Sequence, residues 1–420
     1  MQFLEHKLNA LSFIDVLLNH TSSDSKWLLE SKDSYYSPSN TPALTTANIL
    51  DHALSDFSNK ISKKEVSEYP KGNLVENEED VNLILSLLEK NVLPHLMIPQ
   101  YYNFKVPDVL KELKTHMQKN HTSVVIKENE SEIEEETSSN IFAKDKDDIL
   151  EEFIEKNRVN FGVKLEGVTL NFIEIAKNLI ENATKYSYEL YILVLERINQ
   201  KEITKITKYL KEALQNLRNY VIYEKLTLKK NVISEKNNLF PRYFTVLKNG
   251  DVAANNGWIL DADPHENFAN SDNFHYLRRT IVIWEDLVKL RYGANKNESR
   301  FLWKKMKQYI QSLAEMFNGF RIDNAHSTPL HVGEYFLRKA REVNPNLHVF
   351  CELFCGAGDI DAKYVKNLGA NALVKEAHHV IYSYFLLKIN KKCICSVRNL
   401  NISLECCIIM GDSLSMQWDP

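Results

Sequence analysis

The 420-residue chain has no surplus of charge of either sign: 52 lysines and arginines face 56 aspartates and glutamates, a net charge of −4. That balance provides neither a basic face for nucleic acid nor a pull toward an anionic membrane surface. No apolar run approaches the roughly 20 residues that cross a bilayer. The opening residues are broken by Glu5, His6, Lys7 and Asp15, so they do not make a secretory signal. Cysteine is scarce and confined to the last stretch of chain, at Cys351, Cys355, Cys393, Cys395, Cys406 and Cys407. These lack the paired spacing of a zinc site and are too clustered for a disulfide framework in so long a chain. They read as reduced thiols of a cytoplasmic protein. No cofactor, metal, membrane or nucleic-acid partner is expected; a neutral polysaccharide or small neutral substrate fits the charge balance.

Four regions of different texture are present. Residues 1–30 contain one apolar run, 11–14, that closes on a polar cluster. Residues 31–240 have few glycines and read as mostly helical, with amphipathic stretches at 80–91 (Val81, Leu83, Leu85, Leu87, Leu88) and 203–223 (Ile206, Leu210, Leu214, Leu217, Val221). Within them, the acidic segment near 128–152 is poor in apolar residues and reads as a solvated loop. Residues 241–376 hold a βαβαβ alternation. A helix over 297–317 ends on Asn318-Gly319, expected to be a left-handed stop. A strand at 320–323 follows, and Ser327-Thr328-Pro329 then predicts an N-cap with proline at the first helical position. That helix runs to about Val343. The run 347–354 (LHVFCELF) has the pattern of a strand buried on both faces of a parallel sheet. A helix at 359–367 and a short strand at 372–374 complete the series, and the rhythm is lost over 377–420. The fold class is therefore α/β, with a parallel sheet and helical crossovers.

Two carboxylates stand at ends of these strands, Asp323 and Glu352. In a parallel α/β barrel the C-terminal strand ends face the active site, and strands about 4.8 Å apart let two such side chains flank one reacting centre. Retaining glycosidases use a pair of this kind, roughly 5–5.5 Å apart. Arg321, two residues before Asp323, shares its face of the strand, and its guanidinium favours the ionised, nucleophilic form of Asp323. Glu352 lies in an apolar run, where desolvation raises a carboxyl pKa as a general acid requires. The alternative for either acid is a helix cap or a solvated loop residue. Asp15, Asn19 and His20 follow the first apolar run in the same manner, and a histidine there is equally at home as a structural hydrogen-bonding residue. Trp258, Trp284 and Tyr276 are candidates for stacking on sugar rings or for the core.

At these residues the chain resembles the α-amylase superfamily of glycoside hydrolases. Three of its short motifs occur in order: DVLLNH (15–20), GFRIDNAHS (319–327) and CELF (351–354). The resemblance narrows to the eukaryotic glycogen debranching enzymes through YSPSNTPALTTANILDHAL, FPRYFTV, NNGWILDADPHENFA and YLRRTIVIWEDLVKLRYG. It covers about 10–376 and is weakest over 110–200. It implies a partial (β/α)₈ barrel with a large helical insertion. The activity implied is transfer of an α-1,4-linked oligoglucan from a glycogen branch to another chain end. In that scheme Asp323 is the nucleophile and Glu352 the acid/base. Arg321, His20, His326 and Asn19 hold the nucleophile and the sugar, Asp15 supports them, and Trp258 is a sugar contact.

The departures carry expectations too. The resemblance starts at the third barrel strand, and no His-Asp dipeptide is present to supply the family's fourth motif and third catalytic carboxylate. A truncated or mis-joined chain, weakly active or inactive by itself, is expected on that ground. A plain α-1,4-glucan hydrolase is the other reading left open.

Overall fold

The structure, a computed structural model, describes residues 11–103, 106–107, 188–259, 266–354, 358–376 and 406–410. The acidic segment 128–152 and most of the tail lie outside the described residues. The chain divides into two compact units, one of Met1–Thr41, Pro241–Tyr276 and Thr280–Pro420, the other of Pro42–Phe240 and Leu277–Arg279. No described helix is long and apolar enough to cross a membrane.

The first unit contains a five-stranded sheet of β1 (Phe13–Leu17), β6 (Gly319–Asp323), β7 (His348–Glu352), β8 (Ala372–Glu376) and β9 (Cys406–Met410), in that spatial order. The first four strands run parallel, and β9 adds to β8 antiparallel. A second sheet is antiparallel throughout: β2 (His20–Ser22), β5 (Ile281–Lys289), β4 (Val252–Ile259) and β3 (Phe244–Val246). The sequence reading did not anticipate it.

Helices α4 (Arg300–Met316), α5 (Leu330–Val343) and α6 (Gly358–Leu368) are the parallel crossovers. On α4 the buried residues Leu302, Trp303, Met306, Ile310 and Leu313 recur every three to four positions, and on α5 so do Val332, Phe336, Leu337 and Ala340. They join Val16, Phe320, Ile322, Val349 and Cys351 in one buried cluster. Full burial of each large side chain contributes about 1.5–3 kcal/mol. These sheet residues alternate with Asp15, Arg321, Asp323, Phe350 and Glu352, so period-two geometry gives the parallel sheet one apolar face and one polar face. The expectation that 347–354 is buried on both faces is thereby corrected: His348 and Phe350 are only half-buried.

Two punctuation readings are also corrected. Asn318-Gly319 is no left-handed stop, since α4 ends on an extended Phe317 and Gly319 opens β6. The Asn318 and Gly319 amides both donate to the Ser12 carbonyl, at 2.9 and 3.1 Å. Glycine is required there because a Cβ would come within 2.1 Å of the Phe13 ring. Ser327 does not cap α5 either. Pro329 occupies the cap position without a side-chain bond, while the Ser327 and Thr328 hydroxyls each donate to the Asn324 carbonyl at 3.3 Å.

The second unit contains α1 (Thr45–Ser62), α2 (Glu78–Asn91) and α3 (Tyr188–Val221), the last continuing through a π-helical turn at Ile222–Thr227. A capping box between Asn77 and Asp80 starts α2. Arg279 donates to Asp51 at 2.8 Å with both side chains 1% exposed, a fully desolvated ion pair.

Candidate active site

The polar face of the parallel sheet converges on Arg321. Register pairs Asp15 with Arg321 across β1 and β6, so Asp15 stands within the strand rather than after it. Arg321 Nη1 donates to Asp15 Oδ1 at 2.9 Å and to Asp323 Oδ1 at 3.2 Å; Nη2 donates to Glu352 Oε1 at 2.8 Å. One planar guanidinium thus holds three carboxylates from three adjacent strands. Burial opposes its charge, but Asp15, Glu352 and Asp323 outweigh burial and raise its pKa above the ordinary value.

Strand ends set the two acids. Asp323 is the last residue of β6, and Glu352, 8% exposed, is the last of β7. Burial pushes the Glu352 carboxyl above its usual range, with Asp323 adding to the rise and the Asn324 amide and Arg321 opposing it. Asn324 was not foreseen as a site residue. It adopts the left-handed conformation (φ 47°) that asparagine tolerates better than other non-glycine residues. In that conformation its backbone N–H donates to Glu352 Oε2 at 2.9 Å and its side-chain amide to Asp323 Oδ2 at 2.9 Å. Asn directly after the strand-end aspartate was the available signal.

His20 opens β2 with Nε2 3.9 Å from Asp323 Oδ2. Its Nδ1 lies 2.6 Å from Asn19 Oδ1, which can only accept, so Nδ1 carries a proton. Asn19 Nδ2 in turn donates to Ser327 Oγ at 2.7 Å. Burial lowers the His20 pKa and Lys289 lowers it further, against Asp323 and Asp286, which raise it. Trp284 flanks the imidazole with ring centroids 6.2 Å apart.

His326 is buried one layer behind the acids. Its Nδ1 is 3.3 Å from the Glu352 carbonyl oxygen and 3.4 Å from the Phe354 amide, and the Tyr364 hydroxyl donates to its backbone carbonyl at 3.2 Å. Trp258 is 43% exposed in β4, cross-strand from Val282, and the structure links it to none of the carboxylates. Tyr276 is core: its hydroxyl donates to the Asn255 carbonyl at 2.6 Å, and burial drives its pKa far up. Among the described residues no cluster of histidine, cysteine and carboxylate side chains could hold a metal ion.

The chain is similar to known proteins in sequence. The family described as glycogen debranching enzyme, glucanotransferase domain, matches residues 1–348. The glycogen debranching enzyme of Saccharomyces cerevisiae is 34% identical over 395 residues, covering 90% of this chain and 25% of the yeast protein. The chain therefore spans about a quarter of the length of that relative. With a parallel α/β sheet, strand-end acids and a family match over most of its length, the chain belongs to the glucanotransferase-domain family of glycogen debranching enzymes.

Proposed function

We propose that this site performs retaining transfer of an α-1,4-linked oligoglucan from a glycogen branch to another chain end, in the cytoplasm. The observation that carries the reading is the joining of Asp323 and Glu352 by one guanidinium at the ends of adjacent parallel strands. The parallel order β1-β6-β7-β8 supports assigning these strands to part of an α-amylase-type (β/α)₈ barrel.

Asp323 attacks the anomeric carbon as the glycosidic C–O bond breaks, and Glu352 delivers its proton to the departing oxygen. Its raised pKa suits a group that must hold that proton near neutrality. The resulting glycosyl-enzyme is opened by a hydroxyl of the acceptor chain, whose proton returns to Glu352, leaving both acids as they began. Arg321 holds Asp323 aligned, Asp15 anchors Arg321, and Asn19 fixes the His20 tautomer so that Nε2 faces the reacting sugar. His326 positions the end of β7 that bears Glu352. Trp258 offers an exposed ring to a more distant glucosyl unit.

The test is incubation of the purified chain with a maltooligosaccharide and analysis of products by length. Lengthened and shortened chains with retained anomeric configuration, lost in Asp323→Asn, are expected. Shortened products alone would show a hydrolase, and no turnover would leave a catalytically silent member of the family; either result overturns the proposal.

A further inference from the structure

Lys289 is a buried lysine that the mechanism above does not use. It is 4% exposed, and among the described residues no carboxylate pairs with it. Its ammonium instead sits 3.9 Å from the centroid of the Phe268 ring. Lys289 also lines a cavity of about 360 Å³, together with Asn19, Glu266, Arg291, Glu298, Ser327 and His331. A buried cation without a carboxylate partner is costly. Register brings a titratable neighbour alongside: Lys289 is the cross-strand partner of His20 in the β2–β5 ladder, and the next amide, Leu290 N–H, donates to the Asn19 carbonyl at 3.0 Å.

We propose that Lys289 is a positioning residue for the transfer reaction: its buried ammonium keeps the His20 imidazole neutral, so that Nε2 accepts a sugar hydroxyl instead of pairing with the nucleophile Asp323. The inference rests on the function proposed above. The groups facing His20 are Asp323 on β6, with Arg321 and Glu352 beyond it, and Asp286 and Lys289 on β5. Asp323 and Asp286 draw a proton onto the ring, and Lys289 opposes them. With Nδ1–H committed to Asn19, a second proton would go to Nε2, 3.9 Å from Asp323 Oδ2. The charge-assisted bond formed there would occupy the attacking carboxylate. Lys289 itself gains a proton as pH falls through about 7, burial having lowered it that far, in the window where an imidazole would otherwise charge.

Two measurements on the full chain test this: the pH profile of kcat/KM for transfer between maltooligosaccharides, and NMR titration of the His20 ring in the unliganded protein. Lys289→Met is expected to raise the His20 pKa and to move the acid limb toward neutrality, giving about tenfold less activity at pH 6 and little change at pH 8. Lys289→Arg, which keeps the charge, is expected to keep the wild-type limb. Superposable profiles with an unmoved His20 titration in folded Lys289→Met overturn the proposal. Should that variant not fold, Lys289→Gln, which also removes the charge, takes its place, and superposable profiles with an unmoved His20 titration overturn the proposal in the same way. Absence of transfer in the wild type would sink the functional reading while the ring titration still reported on Lys289.

Discussion

Replacing Lys289 by methionine should stabilise the protein, and the gain should vanish at high pH. Burial lowers the Lys289 pKa from 10.5 to about 7, so between those values the unfolded chain holds a proton that the folded chain does not. Wild-type stability consequently falls as pH drops from 10.5 toward 7, and below that the deficit is constant because both states are protonated. At about 1.36 kcal/mol per tenfold in proton affinity, the deficit has a ceiling of about 5 kcal/mol. The ammonium over the Phe268 ring returns about 1–2 kcal/mol of this, leaving about 3 kcal/mol. Methionine has similar length and no proton to lose. Urea unfolding followed by tryptophan fluorescence at pH 6.5 and 9.5 would measure the effect. Lys289→Met should gain about 3 kcal/mol at pH 6.5 and about half of that at pH 9.5. A variant that is less stable at pH 6.5, or one whose advantage does not change with pH, would show that the ammonium has a partner and refute the reasoning.

Glu352→Gln is expected to lower transfer by about 10²–10⁴-fold, with a much smaller loss on an aryl glucoside whose leaving group needs no proton, read from initial rates. Asp51→Ala leaves Arg279 charged and buried without its 2.8 Å partner, and should cost about 3–5 kcal/mol in chemical denaturation. Gly257→Ala places a Cβ 2.1 Å from the Val282 carbonyl oxygen, forcing β4 and β5 apart; a loss of about 1–3 kcal/mol or more in the same assay is expected. Ile322→Ala, on the apolar face of β6, should cost about 2–5 kcal/mol of stability while leaving kcat of the folded enzyme close to wild type.

The βαβαβ core was legible because both of its periodicities are clean. Leu302 to Leu313 and Val332 to Ala340 repeat at helical spacing, and each strand is a short apolar run bounded by polar residues, with Asp323 and Glu352 at the ends. The antiparallel sheet was not. The β4 sequence VAANNGWI carries Asn255, Asn256 and Gly257, residues depleted in strands. Asn255 is tolerated in the interior because its side chain accepts from Thr245 Oγ1 at 2.7 Å and donates to the Arg242 carbonyl at 2.9 Å, pairings no local pattern announces. The left-handed Asn324 and the buried Lys289 were missed for a related reason: each takes its meaning from a partner on another strand, Glu352 for one and His20 for the other.

The placement of charge follows from what the reaction needs. An oxocarbenium-like transition state gathers positive charge at the anomeric carbon, and a surplus of carboxylates around that point stabilises it. Asp15 and Asp323 set two carboxylates against the single guanidinium of Arg321, and Glu352 adds its negative charge as it gives up its proton. A second cation in direct contact with Asp323 would cancel part of that surplus, and a protonated His20 is the group best placed to become one. Putting the cation behind the imidazole, over the Phe268 ring and across the ladder, holds the ring neutral while keeping the positive charge a residue further from the reacting centre. The cost appears as stability given up at neutral pH by the Lys289 ammonium, which makes the predicted gain of Lys289→Met and its predicted loss of activity at low pH two readings of one charge.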